Sequence, residues 1–314
     1  MTFLKQRNLF QDLYMRQIHL WAREKNLTGK GVTVAVIDSG LIRQAELLRG
    51  RVAKIPNTSK WRENATDEPD RYVGTHGTEI ASLISMIAPD ARLYDIKATC
   101  VVGRTLDHFL IDALIKCMRE IRPDVINISL GKHRQAGCNG TCPIDKVVDL
   151  VADSGITIIT SAGNRGEQGP LACPGNARGA LTVGGATYKK EGSKYEPTIA
   201  PVSSWSGRQG KPDLIAPSDI PVRVRYNILM PTWVEITVDE GHLGTSYAAP
   251  FVTGAIALLL QKKRKARDPK KFASDARAAL VATCDRINGF PPIAQGNGLI
   301  NLPATDAFLA RNLR

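Results

Sequence analysis

The chain has 314 residues, 42 basic against 30 acidic side chains and a formal net charge of +12, with 43% hydrophobic residues. That composition supplies a sizeable core and excludes a disordered or disulfide-framework protein. No apolar run approaches the about 20 residues of a membrane helix, so no membrane role is expected.

The N-terminal stretch lacks the apolar segment and small-residue cleavage site of a secretory signal, so, taking Met1 as the true start, the expected location is cytoplasmic. Leu9, Phe10, Leu13, Tyr14, Ile18 and Trp21 fall at helical spacing and predict an opening helix over 9–24. Residues 1–28 are read as a helical extension packed against one main domain over 29–314. Compact apolar runs at 32–37, 91–98, 125–130, 156–160 and 181–183 predict strands buried on both faces. Helical patterns at 76–87, 106–121 and 144–153 lie between them, which argues for an α/β fold: one mostly parallel central sheet with helices on both faces. Residues 219–243 break the rhythm, and Val222–Tyr226 and Trp233–Val238 read as two arms of a hairpin. A long apolar helix is predicted from near Thr245 through Leu260, with further helices at 271–283 and 303–312.

Much of the positive charge lies in Gln261-Lys-Lys-Arg-Lys-Ala-Arg-Asp-Pro-Lys-Lys271, at the end of that apolar helix. Cations opposing the negative end of the helix dipole explain it, with an acidic partner or nucleic acid as lesser readings. No aromatic interleaving or nucleic-acid module accompanies the run, so nucleic acid is not the expected partner. The six cysteines form no paired CxxC knuckles, and no metal site is read from them. Cys100, Cys117 and Cys284 stand in apolar contexts and are expected to be buried thiols. Cys138 and Cys142 share a polar loop and either close a small disulfide or stay free in a reducing compartment.

Three local motifs carry chemistry. Ala35-Val-Ile-Asp-Ser-Gly40 places Asp38 at the carboxyl end of a buried strand, where α/β sheets keep working residues. Gly74-Thr-His-Gly-Thr78 opens an apolar helix with His76, Thr75 suiting an N-cap and Gly77 permitting close backbone approach. Gly244-Thr-Ser-Tyr-Ala-Ala-Pro250 heads the long helix and seats Ser246 over a positive dipole end. Singly, each has an ordinary structural reading as turn former, helix residue or N-cap.

Taken in order, the three motifs resemble those of the subtilisin-like serine proteases, and four further blocks extend the likeness. They are Asn127-Ile-Ser-Leu-Gly131, Ser161-Ala-Gly-Asn164, Cys173-Pro-Gly175 and Lys211-Pro-Asp-Leu-Ile-Ala-Pro217. The resemblance implies a serine endopeptidase whose triad is Asp38, His76 and Ser246, with Asn164 as oxyanion donor. It also implies that Ser129, Leu130 and Gly131 form an edge for an extended peptide, and that Ser161, Ala162 and Gly163 face them across the specificity pocket. Arg165 and Glu167 carry opposite charges near its floor, so no side-chain preference follows.

The implied partner is a protein or precursor-peptide substrate bound in extended form, with a regulatory protein left open, and the implied type is intracellular, without a long propeptide. A peptide-binding or scaffold protein on a degenerate subtilase fold is the alternative. Glu79 and Ser82 depart from the family pattern after the histidine. The step Ile84–Pro89 leaves no room for the family's calcium loop, and its usual Asp is replaced near Leu47. No cofactor is required on this reading and the strong calcium site is expected to be missing, while weak calcium sites stay open. The loop Lys132–Pro143 is long and brings Cys138 and Cys142 toward the substrate edge, with Cys173 bordering the pocket, so a redox-sensitive cleft also stays open.

Overall fold

A computed structural model describes residues 9–53, 75–99, 106–132, 138–167, 169–191, 194–205, 210–219, 222–229, 232–237 and 244–312. The apolar runs become β1 (Thr33–Asp38), β3 (Arg92–Lys97), β4 (Val125–Ile128) and β5 (Thr157–Ser161). They are joined by β2 (Val52–Ala53), β6 (Ala180–Glu191), β7 (Lys194–Ile199) and β8 (Leu214–Pro217). The sheet runs β2-β3-β1-β4-β5-β6-β7, with β8 also pairing β6. Every pairing is parallel except β6 with β7. The excursion is a separate antiparallel pair, β9 (Arg223–Leu229) with β10 (Thr232–Thr237).

Helices follow the strands as α1 (Leu9–Glu24), α2 (Thr75–Ile87), α3 (Asp107–Lys116), α4 (Pro143–Asp153), α5 (Thr245–Leu260), α6 (Pro269–Ala282), α7 (Pro292–Gln295) and α8 (Leu302–Asn312). Because strand side chains alternate between faces, β1 feeds two cores. Val34 and Val36 pack with α1, α2, α5, α6 and α8, whereas Ala35 and Ile37 pack with α3 and α4. Met15, Ile18, Trp21 and Ala22 of α1 belong to the first core, so the described part of the N-terminal extension is built into the domain.

α5 is the central helix of that first core. All its residues except Ser246 are buried, which is why it reads as apolar all round rather than amphipathic. It crosses α2 closely at Gly254, where an added Cβ would stand 2.7 Å from Ile87 Cβ. At its far end Gln261 Oε1 accepts the N–H groups of Thr28, Gly29 and Lys30, while Gln261 Nε2 donates to Asn26 O at 3.1 Å. That side chain ties the end of α5 to the segment entering β1.

The strand order places β3 on one side of β1 and β4 on the other. The connection after β1 runs to the β2–β3 side and the connection after β4 to the β5 side. Adjacent strands whose crossovers leave in opposite directions open a crevice beyond their carboxyl ends, the usual ligand position in open α/β sheets. Asp38 ends β1, and Ser129 directly follows β4.

Candidate active site

Asp38 is fully buried, and its Oδ1 accepts two hydrogen bonds, from Ser39 N at 2.7 Å and His76 Nδ1 at 2.8 Å. His76 is the second residue of α2, placed over the end of β1 by a close contact at the next position. A Cβ on Gly77 would lie 2.4 Å from Gly40 O, so only glycine lets this helix start so near the strand. Ser39 Oγ accepts the Gly77 N–H at 3.0 Å and completes the junction.

Burial disfavours the imidazolium, but the charge and hydrogen bond of Asp38, with the charge of Glu79 behind them, outweigh it and raise His76 to about 9. The ring stays 36% exposed on its outer side, where solvent screening weakens those charges and a reactant has access. Glu79 is nearly buried, and its Oε2 accepts the Tyr247 hydroxyl at 2.8 Å. Burial and the Glu79 charge push Tyr247 upward, which keeps it a neutral donor. Tyr247 also brings the two halves of the site together, its ring centroid lying 6.3 Å from that of His76.

Ser246 is held from the opposite direction. α5 contains Pro250, which has no N–H for the carbonyl four residues earlier, that of Ser246. Ser129 Oγ takes the freed carbonyl at 2.8 Å and itself accepts from Asn127 Nδ2 at 3.0 Å. Asn127 Oδ1 accepts in turn from Thr253 Oγ1 at 2.8 Å, about two turns beyond Ser246 along α5. The Ser246 hydroxyl donates to Ser129 O at 3.3 Å. His76 Nε2 has no hydrogen bond among the described residues, so the imidazole and Ser246 are not joined in this conformation.

The N-cap of α5, Gly244, offers no side-chain acceptor, and Asn164 supplies one from the loop after β5. Asn164 Oδ1 accepts from Thr245 N at 2.9 Å and Thr245 Oγ1 at 3.0 Å, which fixes the amide, with Nδ2 3.3 Å from where a Cβ on Gly244 would stand. Gly163 takes the left-handed turn at φ 104°, and Asn164 has ordinary backbone. The Gly163 N–H donates to Thr245 Oγ1 at 3.0 Å.

The two predicted substrate segments flank one strap, residues 171–173. Ala172 N donates to Ala162 O at 2.8 Å, and Lys132 pairs with Cys173 through two backbone hydrogen bonds of 3.0 Å. Ser129, Ser161, Ala162 and Gly163 are buried, Leu130 is half-buried and Gly131 is exposed. A Cβ on Gly131 would stand 2.7 Å from Ala172 Cβ, so glycine is needed where the segment crosses the strap. The Cys173–Pro174 peptide is cis, and so is Lys211–Pro212.

Residues 29–298 match the subtilase family of peptidases, which covers both the site and the sheet beneath it. The chain belongs to the subtilase family. Subtilisin from Bacillus pumilus is 30% identical over 288 residues, covering 88% of this chain and 91% of that protein. Subtilisin E from Bacillus subtilis (strain 168) is 30% identical over 289 residues, and this subtilase spans 66% of its length. A prenylagaramide maturation protease, PagA, shares the fold with a TM-score of 0.69 at 21% identity, covering 94% of this chain and 98% of that one. No described helix of this subtilase is long and apolar enough to cross a membrane.

The cysteine expectations need correction. Cys117 is buried as expected, and burial raises it to about 12, an inert thiol. Cys284 is only half-buried, at the edge of the first core. Cys138 and Cys142 do not form the small disulfide left open above, since all five described cysteines are free. The sulfur facing Cys142 is that of Cys173, at 2.8 Å. Cys100, the Thr75 side chain, and parts of the 133–137 and 219–243 loops lie outside the described residues.

Proposed function

We propose that this subtilase is a serine endopeptidase in which Ser246 is the nucleophile, His76 the general base and acid, and Asp38 the group that orients the imidazole. The observation that carries the reading is the 2.8 Å bond from His76 Nδ1 to a fully buried Asp38, with the ring of Tyr247, the residue after Ser246, 6.3 Å from the same imidazole. A hydrogen bond at Nδ1 leaves Nε2 with the lone pair of the neutral ring, directed to the outer side. Rotation of the Ser246 side chain from the Ser129 carbonyl toward Nε2 delivers the hydroxyl proton to the imidazole as Oγ adds to the scissile carbonyl.

Asp38 stabilises the imidazolium so formed. The developing oxyanion meets Asn164 Nδ2 and the Ser246 backbone N–H, one of the first-turn donors that lack an intrahelical acceptor. Collapse expels the amine with the proton from His76, and water repeats the sequence on the acyl-enzyme. An extended peptide adds main chain to main chain along Ser129–Gly131, its side chain entering between that edge and Ala162–Gly163.

Selective processing of a protein or precursor peptide is the substrate class we favour, because a solved neighbour in fold is by name a maturation protease. A cytoplasmic location belongs to the same proposal and is supported by a relative that is by name a major intracellular serine protease. The test is covalent labelling by a fluorophosphonate together with cleavage of a casein-type protein and of a peptide library. Labelling that is lost in Ser246→Ala, with cleavage confined to few peptides, supports a processing enzyme. Peptide binding without labelling supports the scaffold alternative and overturns the catalytic assignment.

A further inference from the structure

Cys138, Cys142, Asp145 and Cys173 converge on one point at the edge of the second core. One ligand atom from each lies within 4.8 Å of all the others. Asp145 is fully buried in the first turn of α4, and its partners among the described residues are thiols. Its Oδ2 faces Cys138 Sγ at 2.7 Å and Cys142 Sγ at 3.0 Å, and its Oδ1 faces Cys173 Sγ at 3.6 Å. No described basic side chain pairs with it. Thiols are weak donors, so a carboxylate enclosed by three of them is poorly compensated for its loss of water.

We propose that these four side chains are a structural zinc site. Zinc bound at about 2.3 Å to sulfur and 2.0–2.2 Å to oxygen sets ligand atoms about 3.6–3.8 Å apart. The contacts of 2.7, 2.8 and 3.0 Å are tighter and that of 3.6 Å matches, so the cluster would spread by somewhat less than about 1 Å to admit the ion. Three sulfurs and one carboxylate oxygen in a tetrahedron suit zinc over calcium or magnesium, which take oxygen ligands. Binding displaces three thiol protons to solvent, and the cation accepts one electron pair from each sulfur and one from Asp145. Cys138 and Cys142 are half-buried, which leaves the metal a path from the surface. Gly140, at φ 80°, gives the loop the turn that folds both sulfurs inward; a Cβ there would stand 2.7 Å from Asn176 O.

The ligands come from two stretches distant in sequence: the 138–142 loop running straight into the first turn of α4, and the strap. The pattern Cys-x3-Cys-x2-Asp is visible in the sequence, but its completion by Cys173, 31 residues beyond Cys142, needs the fold. The site would anchor the strap on which Gly131 rests. It takes no part in bond cleavage, and its metal content is read without a peptidase assay.

The experiment uses the full chain, produced in zinc-supplemented medium and purified in reductant. Plasma mass spectrometry is expected to find about one zinc per chain. Cobalt(II) exchanged into the wild type should show thiolate charge-transfer absorption and the visible bands of a tetrahedral ion. Asp145→Asn, which keeps the shape, should weaken metal affinity by at least about tenfold, and Cys173→Ser by more. Should either variant fail to fold, cobalt loading of the wild type decides alone. Folded, reduced wild type with less than about a tenth of an equivalent of zinc and no cobalt spectrum overturns the site. So does an intact mass about two daltons low with Cys142 linked to Cys173.

Discussion

The two arms of the candidate active site are held in different ways. The Asp38–His76 arm is assembled at rest: a buried carboxylate already grips the imidazole, and glycine packing at Gly77 fixes the helix start. The Ser246 arm is firmly placed in its backbone, through Ser129, Asn127 and Thr253, yet its hydroxyl rests on the Ser129 carbonyl. The difference teaches that the Asp38–His76 pair owes its geometry to burial, whereas Ser246, the proposed nucleophile, has one rotatable bond left for a reaction to set. Mutations should therefore divide: on the nucleophile arm they change turnover, and on the acid–base arm they also move its pH dependence.

Ser246→Ala carries the largest expected effect, a fall in kcat of about 10^6-fold, the scale set by subtilisin's own triad serine. Single-turnover kinetics of a chromogenic peptide check it, and residual activity above about 1% would break the assignment. Asn164→Ala should lower kcat by about 10^2- to 10^3-fold with KM little changed, the loss subtilisin itself shows for its oxyanion asparagine. Equal falls in kcat and rises in KM would instead mark Asn164 as a support of the α5 cap.

Ser129→Ala removes the donor to the Ser246 carbonyl and the acceptor of Asn127 Nδ2. At about 1 kcal/mol per bond, kcat/KM should drop about 5- to 30-fold and unfolding should come at lower denaturant. The smallest effect tests the other arm. Glu79 helps to raise His76, so Glu79→Gln should lower the midpoint at which kcat/KM rises with pH, with activity gained on the acid side. The wild-type midpoint should lie above the 6.5 of an unperturbed imidazole, because the base works only after its proton leaves. A midpoint unmoved by Glu79→Gln would show that Asp38 alone sets the ring.

Sequence reading reached β1, β3, β4 and β5 because strands buried on both faces are continuous apolar runs, and it reached α5 for the same reason. It missed most of β6 and all of β7. Residues 187–198 are Thr-Tyr-Lys-Lys-Glu-Gly-Ser-Lys-Tyr-Glu-Pro-Thr, an edge hairpin whose polar composition looks like a loop. The motifs singled out Asp38, His76, Ser246 and Asn164 as candidates. They were silent on the Pro250 effect, since a missing N–H inside a helix matters only when another chain segment occupies the carbonyl it frees. The thiol cluster was illegible for a similar reason: its fourth member arrives by tertiary packing.

Gln261, far from any chemistry, has a consequence for the cleft. By gripping residues 26–30 it locks the remote tip of α5 to the root of β1, while Asp38 and Ser246 lie toward the opposite tips of that same strand and helix. Strand and helix thus behave as two rods riveted at one end, whose lengths set how far apart acid and nucleophile stand. Surface loops can lengthen, shorten or change charge around such a frame and, on the proposed activity, retune which peptide is accepted without disturbing the spacing of Asp38 and Ser246.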